Sequence, residues 1–368
     1  MTTYDLPARR ARYFALSSQI AHLDNAHLRG LFDTSEATRG WGRNHVLDIG
    51  QTKVFVKRVP LTELEHENLF STKNLYELPT YYNYGVGSAG FGAFRELVAN
   101  IKTTNWVLEG ATSFFPLLYH YRIIPFSNEQ TDADRQWLQG YVEYWNSNEN
   151  IGNYIRARAG APYELALFIE HMPYSVEPWL REHPAKIGQA LEDLRDAATF
   201  LRENGVVHFD ANFDNVLSDG EHAYLTDFGL VLDERFSLSQ DEALFLKQGA
   251  EYDYAEILGS LGFFLFDVFR ALPDADRQKV MAKYGVADEM HGAMQTSILL
   301  RNIEEIAAEG ILTLDPSLLA IAVKYRDIIV LFLDFFASMR GNKQKDTPFP
   351  YAQLSQLLRE TGFLSGSL

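Results

Sequence analysis

Apolar residues recur at helical spacing through Ile187, Leu191, Leu194, Ala198 and Leu201, and the run stops at Asn204-Gly205, a dipeptide suited to ending a helix. The period then changes. Val216 to Ser218 and Ala223 to Thr226 are short runs of strand type flanking Asp219-Gly220, which predicts a tight hairpin because glycine accepts positive φ. Ser239-Gln240-Asp241-Glu242 reads as a capping box opening another helix soon afterwards. From Glu177 onward the remaining periodicity is mostly helical.

Upstream the pattern is mixed. Residues 1–35 read as an amphipathic helical extension. Between there and Leu118 short strands surround one helix, Phe94 to Glu109, and Lys53-Val54-Phe55-Val56-Lys57 follows a Gly50-Gln51 turn as a strand. Tyr121 to Phe126 and Leu165 to Ile169 are further strands. The stretch between them, 127–162, is polar, partly helical and long for a strand connection. The pattern predicts an α+β chain. A small β-rich lobe over 36–172, with a helical insertion at 127–162, precedes a larger helical lobe over 173–368, and Glu170-His171-Met172-Pro173 forms the hinge.

Composition narrows the partners. The 368 residues suffice for two unequal lobes, and 46% hydrophobic content can fill a sizeable core. A formal net charge of -16 without a dense run of Lys or Arg argues against a nucleic-acid backbone or an anionic membrane as main partner. The chain has no cysteine, which excludes disulfides, Cys-ligated zinc and thiol catalysis and fits a reducing, cytoplasmic setting. Ile257 to Leu272 and Ile328 to Ala337 are the most apolar stretches. Both are interrupted by charge and too short to span a bilayer, so they read as buried helices.

The chemistry concentrates around the hairpin. His208-Phe209-Asp210-Ala211-Asn212-Phe213-Asp214-Asn215 precedes it and Asp227-Phe228-Gly229 follows it, giving H-x-D-x-x-x-x-N and D-F-G. Phosphoryl transfer needs a carboxylate that orients and deprotonates an acceptor hydroxyl, and oxygen ligands that hold magnesium against nucleotide phosphates. Asp210 can supply the first, Asn215 and Asp227 the second. The order of helix, loop, hairpin and D-F-G turn resembles the C-terminal lobe of the protein-kinase-like superfamily, which includes eukaryotic-type Ser/Thr kinases and the aminoglycoside and choline kinases.

The resemblance covers the chain except its N-terminal extension and distal C-terminus. It implies a two-lobed protein-kinase-like fold with ATP bound between the lobes. It also implies Mg2+ held through Asn215 and Asp227, Asp210 as the base in a catalytic loop opened by His208, and hinge backbone around Glu170 and Met172 against the adenine. A strand lysine and a helix glutamate are implied upstream. Lys57 closes its strand as the lysine closes V-A-I-K, while Lys53 shares its parity. Glu96 lies in the first turns of the following helix; Glu109 at its end, and Glu63, Glu65 and Glu67 after the strand, are alternatives. Gly40-Trp41-Gly42-Arg43-Asn44-His45 matches the glycine-rich loop except at His45. A complete G-x-G-x-x-G at Gly85, Gly87 and Gly90 leads into the helix, either near the phosphates or as a surface loop.

Three departures leave the acceptor open. Asn212 stands where Ser/Thr kinases place a lysine, His45 breaks the glycine pattern, and no A-P-E follows D-F-G at the usual distance. The expectation is a cytoplasmic ATP-dependent kinase acting on a hydroxyl, either Ser/Thr of a specific protein or a small molecule. A pseudokinase binding module and a nucleotidyl transferase are the alternatives. The retained Asp210 argues against pure binding. The aromatic residues of 127–162, Trp137, Tyr141, Tyr144, Trp145 and Tyr154, are candidates for recognising the acceptor.

Overall fold

The strand that carries Lys57 is longer than its apolar alternation suggests, running over Thr52–Leu61 in the centre of an antiparallel sheet. The computed structural model describes residues 5–35, 37–38, 43–126 and 131–364. Within them the chain is α+β, with sixteen α-helices. Two compact units are distinguished: Met1–Pro173 with Leu225–Leu246, and Tyr174–Tyr224 with Lys247–Leu368.

In the first unit, strands β1 (Ala37–Thr38), β2 (Arg43–Ile49), β3 (Thr52–Leu61), β4 (Leu118–Pro125) and β5 (Tyr163–Glu170) are ordered β1-β2-β3-β5-β4. Lys57 pairs with Asn44 on one side and Leu167 on the other. Alternation along β3 divides its side chains between two faces. Val59 and Leu61, on the face of Lys57, pack against Ala93, Phe94 and Leu97 of helix α4 (Ala93–Glu109). On the opposite face Arg58 pairs with Glu164 and lies over the Phe32 ring of helix α2 (Asn25–Thr34). Helix α1 (Leu6–Ala21) sends Arg9 into the unit, where its guanidinium reaches Glu170 at 2.6 Å and the Phe115 carbonyl at 2.7 Å.

The short helix α3 (Glu63–Glu67) follows β3 at once. The insertion forms α5 (Asp132–Tyr144) and α6 (Glu149–Ala159), and its aromatics mostly pack inward. Trp145 and Tyr154 are fully buried, Tyr141 meets Tyr82 hydroxyl to hydroxyl at 2.5 Å, and only Trp137 of the five is exposed, at 49%. Leu225–Leu246 was expected in the helical C-terminal lobe; it packs instead with the first unit. Polar ties explain this: Leu225 N–H donates to the Phe114 carbonyl, Asn83 Nδ2 to the Leu230 carbonyl, Lys102 pairs with Asp233, and Arg95 pairs with Glu242.

The second unit is mainly helical, and in a small sheet β6 (Tyr174–Ser175) pairs with β7 (Val216–Ser218), and β7 with β8 (Ala223–Leu225). The hairpin turns at Gly220, whose φ of 99° suits glycine alone. Helix α7 (Val176–Glu182) packs on this sheet, helices α8 (Ile187–Glu203) and α10 (Tyr252–Arg270) flank the region, and α10 packs on Arg326–Gly341. Gly259 makes that packing possible. A Cβ there would lie 2.1 Å from Phe332 Cδ1, and one at Gly262 2.7 Å from Ile329 Cγ2. Gly259→Ala is therefore expected to cost about 1–3 kcal/mol, the usual penalty of overpacking. Urea unfolding monitored by circular dichroism measures it, and an unchanged midpoint would contradict so tight a contact.

Candidate active-site groups

In the first unit, three of the residues singled out above meet. Lys57 points toward α4 by strand parity, and Glu96 faces it from the first turn of that helix, with Lys57 Nζ 2.7 Å from Glu96 Oε1. The same ammonium donates to Asp227 Oδ1 at 2.6 Å. Lys57 and Glu96 are nearly buried, while the Asp227 side chain is 34% exposed. Burial works against charge on Lys57, but Asp227 and Glu96 outweigh it and hold its pKa above the usual lysine value. Burial pushes the Glu96 carboxyl upward against the attraction of Lys57.

The other candidates go elsewhere. Lys53 pairs instead with Asp48, at 3.6 Å on the surface. Glu63, Glu67 and Glu109 are exposed, and Glu65 is buried in hydrogen bonds of its own.

Asp227 holds a left-handed φ of 63°, a strained conformation of the kind that clusters at functional sites. Phe228 anchors the turn, buried with its ring 6.0 Å from that of Phe115. The loop of Gly85, Gly87 and Gly90 lies against this turn rather than free on the surface. Phe91 N–H donates to the Gly229 carbonyl at 2.8 Å, and a Cβ on Gly90 would sit 3.3 Å from that carbonyl oxygen. Tyr144 of the insertion donates to the Val86 carbonyl, and the Tyr82 hydroxyl accepts Ala89 N–H. Gly40 and Gly42 lie outside the described residues. His45, in the place of the third glycine, is buried, with Nδ1 2.8 Å from Ser35 Oγ.

The second unit assembles the remaining motif residues. Asp210 is held by two amides: Asn212 Nδ2 donates to Oδ1 at 2.8 Å and Asn215 Nδ2 to Oδ2 at 2.7 Å. Asn212 is itself fixed, its oxygen accepting Asp214 N–H. His208 is fully buried and its Nδ1 accepts Asp210 N–H, so its role here is to shape the loop.

Sequence reasoning missed the support of this loop. Asp253 accepts N–H groups from both His208 and Phe209, Glu256 accepts Ala211 N–H, and Ser260 Oγ accepts Phe213 N–H. The three lie on one stripe of α10, and Asp253 holds Phe209, whose φ is a left-handed 61°. Burial pushes the Asp253 carboxyl up to about 6 against those two N–H groups. Burial, with Asp210 and Asp253 as neighbouring carboxylates, raises Glu256 well above the usual range. The available signal was the recurrence of polar side chains at helical spacing at the start of an apolar helix.

At the expected hinge, the Glu170 carboxylate is taken up by Arg9 and Arg12 and also accepts Leu117 N–H. Met172 is buried.

No protein-family model matches the chain, and no curated protein matches it.

Asn215 spends its Nδ2 on Asp210 and its Oδ1 accepts no hydrogen bond among the described residues, which leaves that oxygen available to a hard cation. Asp227 and Glu96 place two carboxylates around one lysine, an excess of negative charge that a cation would balance. Among the described residues no group of three or more His, Cys, Asp or Glu is arranged to hold a metal alone. Among those residues no helix is long and apolar enough to cross a membrane.

Proposed function

We propose that the protein is an ATP-dependent phosphotransferase of protein-kinase-like, two-lobed plan, which moves the γ-phosphoryl group of ATP to a hydroxyl. The observation that supports this most is the Lys57, Glu96 and Asp227 cluster, because the three residues were singled out from separate stretches of sequence and meet within 2.7 Å. Lys57 orients the nucleotide phosphates and Glu96 holds Lys57 in place. Asp227 and Asn215 are the residues that would hold Mg2+, which when bound neutralises phosphate charge. Asp210, oriented by Asn212 and Asn215, accepts the proton of the acceptor hydroxyl.

The acceptor is a small molecule or a serine or threonine of a specific folded protein. Helix α9 (Gln240–Gln248) begins thirteen residues after Asp227, too soon for a long peptide-docking segment, so activity on short generic peptides is expected to be poor. A cytoplasmic setting suits both ATP and the cysteine-free chain.

A ligand that binds only the folded state at about one hundred times its dissociation constant stabilises it by roughly 2.7 kcal/mol. Saturating ATP with magnesium should therefore raise the melting temperature. Absence of both a shift and calorimetric binding would refute the nucleotide reading. Labelled ATP then separates the chemistries: γ-label transfer supports the kinase reading, whereas α-label transfer would replace it with nucleotidyl transfer.

A further inference from the structure

We infer that Glu65 is a positioning residue that ties α4 to the end of β3 and so holds Glu96 at Lys57. Its consequence for turnover rests on the phosphotransfer reading; its cause rests on geometry alone.

Glu65 is 3% exposed and uses its two oxygens for different elements. Oε2 accepts Thr62 N–H at 2.9 Å and the Thr62 hydroxyl at 2.8 Å, completing a capping box at α3 directly after β3. Oε1 turns away from that box and accepts Ala93 N–H, the first of α4, at 2.8 Å. Helix α4 needs an outside acceptor there. Its N-cap is Gly92, which has no side chain to offer, and first-turn N–H groups have no partner within the helix. The fit is close, because a Cβ on Gly92 would lie 3.1 Å from Glu65 Oε1.

Lys57 lies on β3, five residues before Thr62, which directly follows the strand, and Glu96 lies three residues after Ala93 on the same helix. The strand, Glu65, Ala93, Glu96 and Lys57 therefore form a closed ring in which one carboxylate sets the distance between the two elements of the ion pair. The insertion attends the same carboxylate. Burial works against charge on the Arg158 guanidinium of α6, and Tyr154 and Glu65 oppose it, holding the Arg158 pKa above its usual value. Its Nη1 donates to the Tyr154 hydroxyl at 3.0 Å.

The absence of cysteine permits a direct test. Spin labels on Lys53→Cys in β3 and Ile101→Cys in α4, both exposed positions, report the spread of distances between strand and helix by pulsed electron paramagnetic resonance. In the full chain carrying these labels, Glu65→Gln is compared with Thr62→Val. A glutamine amide offers one acceptor atom where glutamate offers two, so it serves Thr62 or Ala93 but not both. Thr62→Val removes the hydroxyl from the box and leaves the link from Thr62 N–H through Glu65 to Ala93.

Glu65→Gln is expected to broaden the distance distribution, and Thr62→Val to match the parent. In the unlabelled chain Glu65→Gln should lower turnover about tenfold, the scale of a lost hydrogen bond to a charged group. In a Glu96→Gln background it should cost nothing further, because the two act on the same pair. An unchanged distribution in Glu65→Gln overturns the inference, as does a loss that adds in full to that of Glu96→Gln. Should the parent protein turn over no ATP, the phosphotransfer reading fails alone, and the distance distribution still decides whether Glu65 places the helix.

Discussion

Asp210→Asn is expected to lower phosphoryl transfer by on the order of 10² to 10⁴, the usual contribution of a general base, while leaving nucleotide affinity in place. Both Asp210 oxygens accept amide N–H groups, from Asn212 and Asn215, so an asparagine retains the size but can serve only one of the two amides while losing the proton acceptor. Asp210 belongs to the second unit. Turnover of γ-labelled ATP beside a calorimetric titration gives both quantities for one preparation. Equal loss of binding and turnover would mean that Asp210 handles the nucleotide rather than the acceptor.

Asp227→Asn probes the opposite role. Asparagine tolerates the left-handed backbone that Asp227 adopts at φ 63°, and its oxygen can still accept from Lys57, so the change removes charge more than shape. Nucleotide affinity is expected to fall by on the order of 10², as the loss of a charged partner implies, and the remaining binding should no longer respond to magnesium. Titrations with and without the metal measure this. Magnesium dependence surviving at full strength would remove Asp227 from the ligand set.

These residues were legible in the sequence because each motif is short and its geometry local. The hairpin turn at Gly220, the capping box of Ser239 and Glu242, and the parity that turns Lys57 toward α4 are all decided within a few residues. What holds them is not local. Asp253, Glu256 and Ser260 act across about 45 residues of chain, and nothing in a polar side chain at the start of an apolar helix says which backbone N–H it will accept. Glu65 was readable as one of several acidic residues after the strand, but its service to Ala93 depends on the path of the intervening loop. The glycines at 85, 87 and 90 announced a permissive backbone without saying that it would lie against Gly229. The placement of Leu225–Leu246 with the first unit depends likewise on partners as distant as Asn83, Arg95 and Lys102.

The joining of Arg9 to Glu170 bears on how this chain can vary over evolutionary time. Both side chains are about 1% exposed, and the guanidinium also satisfies the carbonyls of Ser113 and Phe115. Breaking a buried pair by removing one partner costs about 3–5 kcal/mol, whereas replacing both by apolar residues of similar volume is often neutral. A single change at either position would thus be purged, and a paired apolar change would still strand the carbonyls of Ser113 and Phe115 that Arg9 satisfies. Among chains that share this arrangement, positions 9 and 170 should change together or not at all, which makes an N-terminal helix, at first sight a removable extension, part of the inheritance of the sheet.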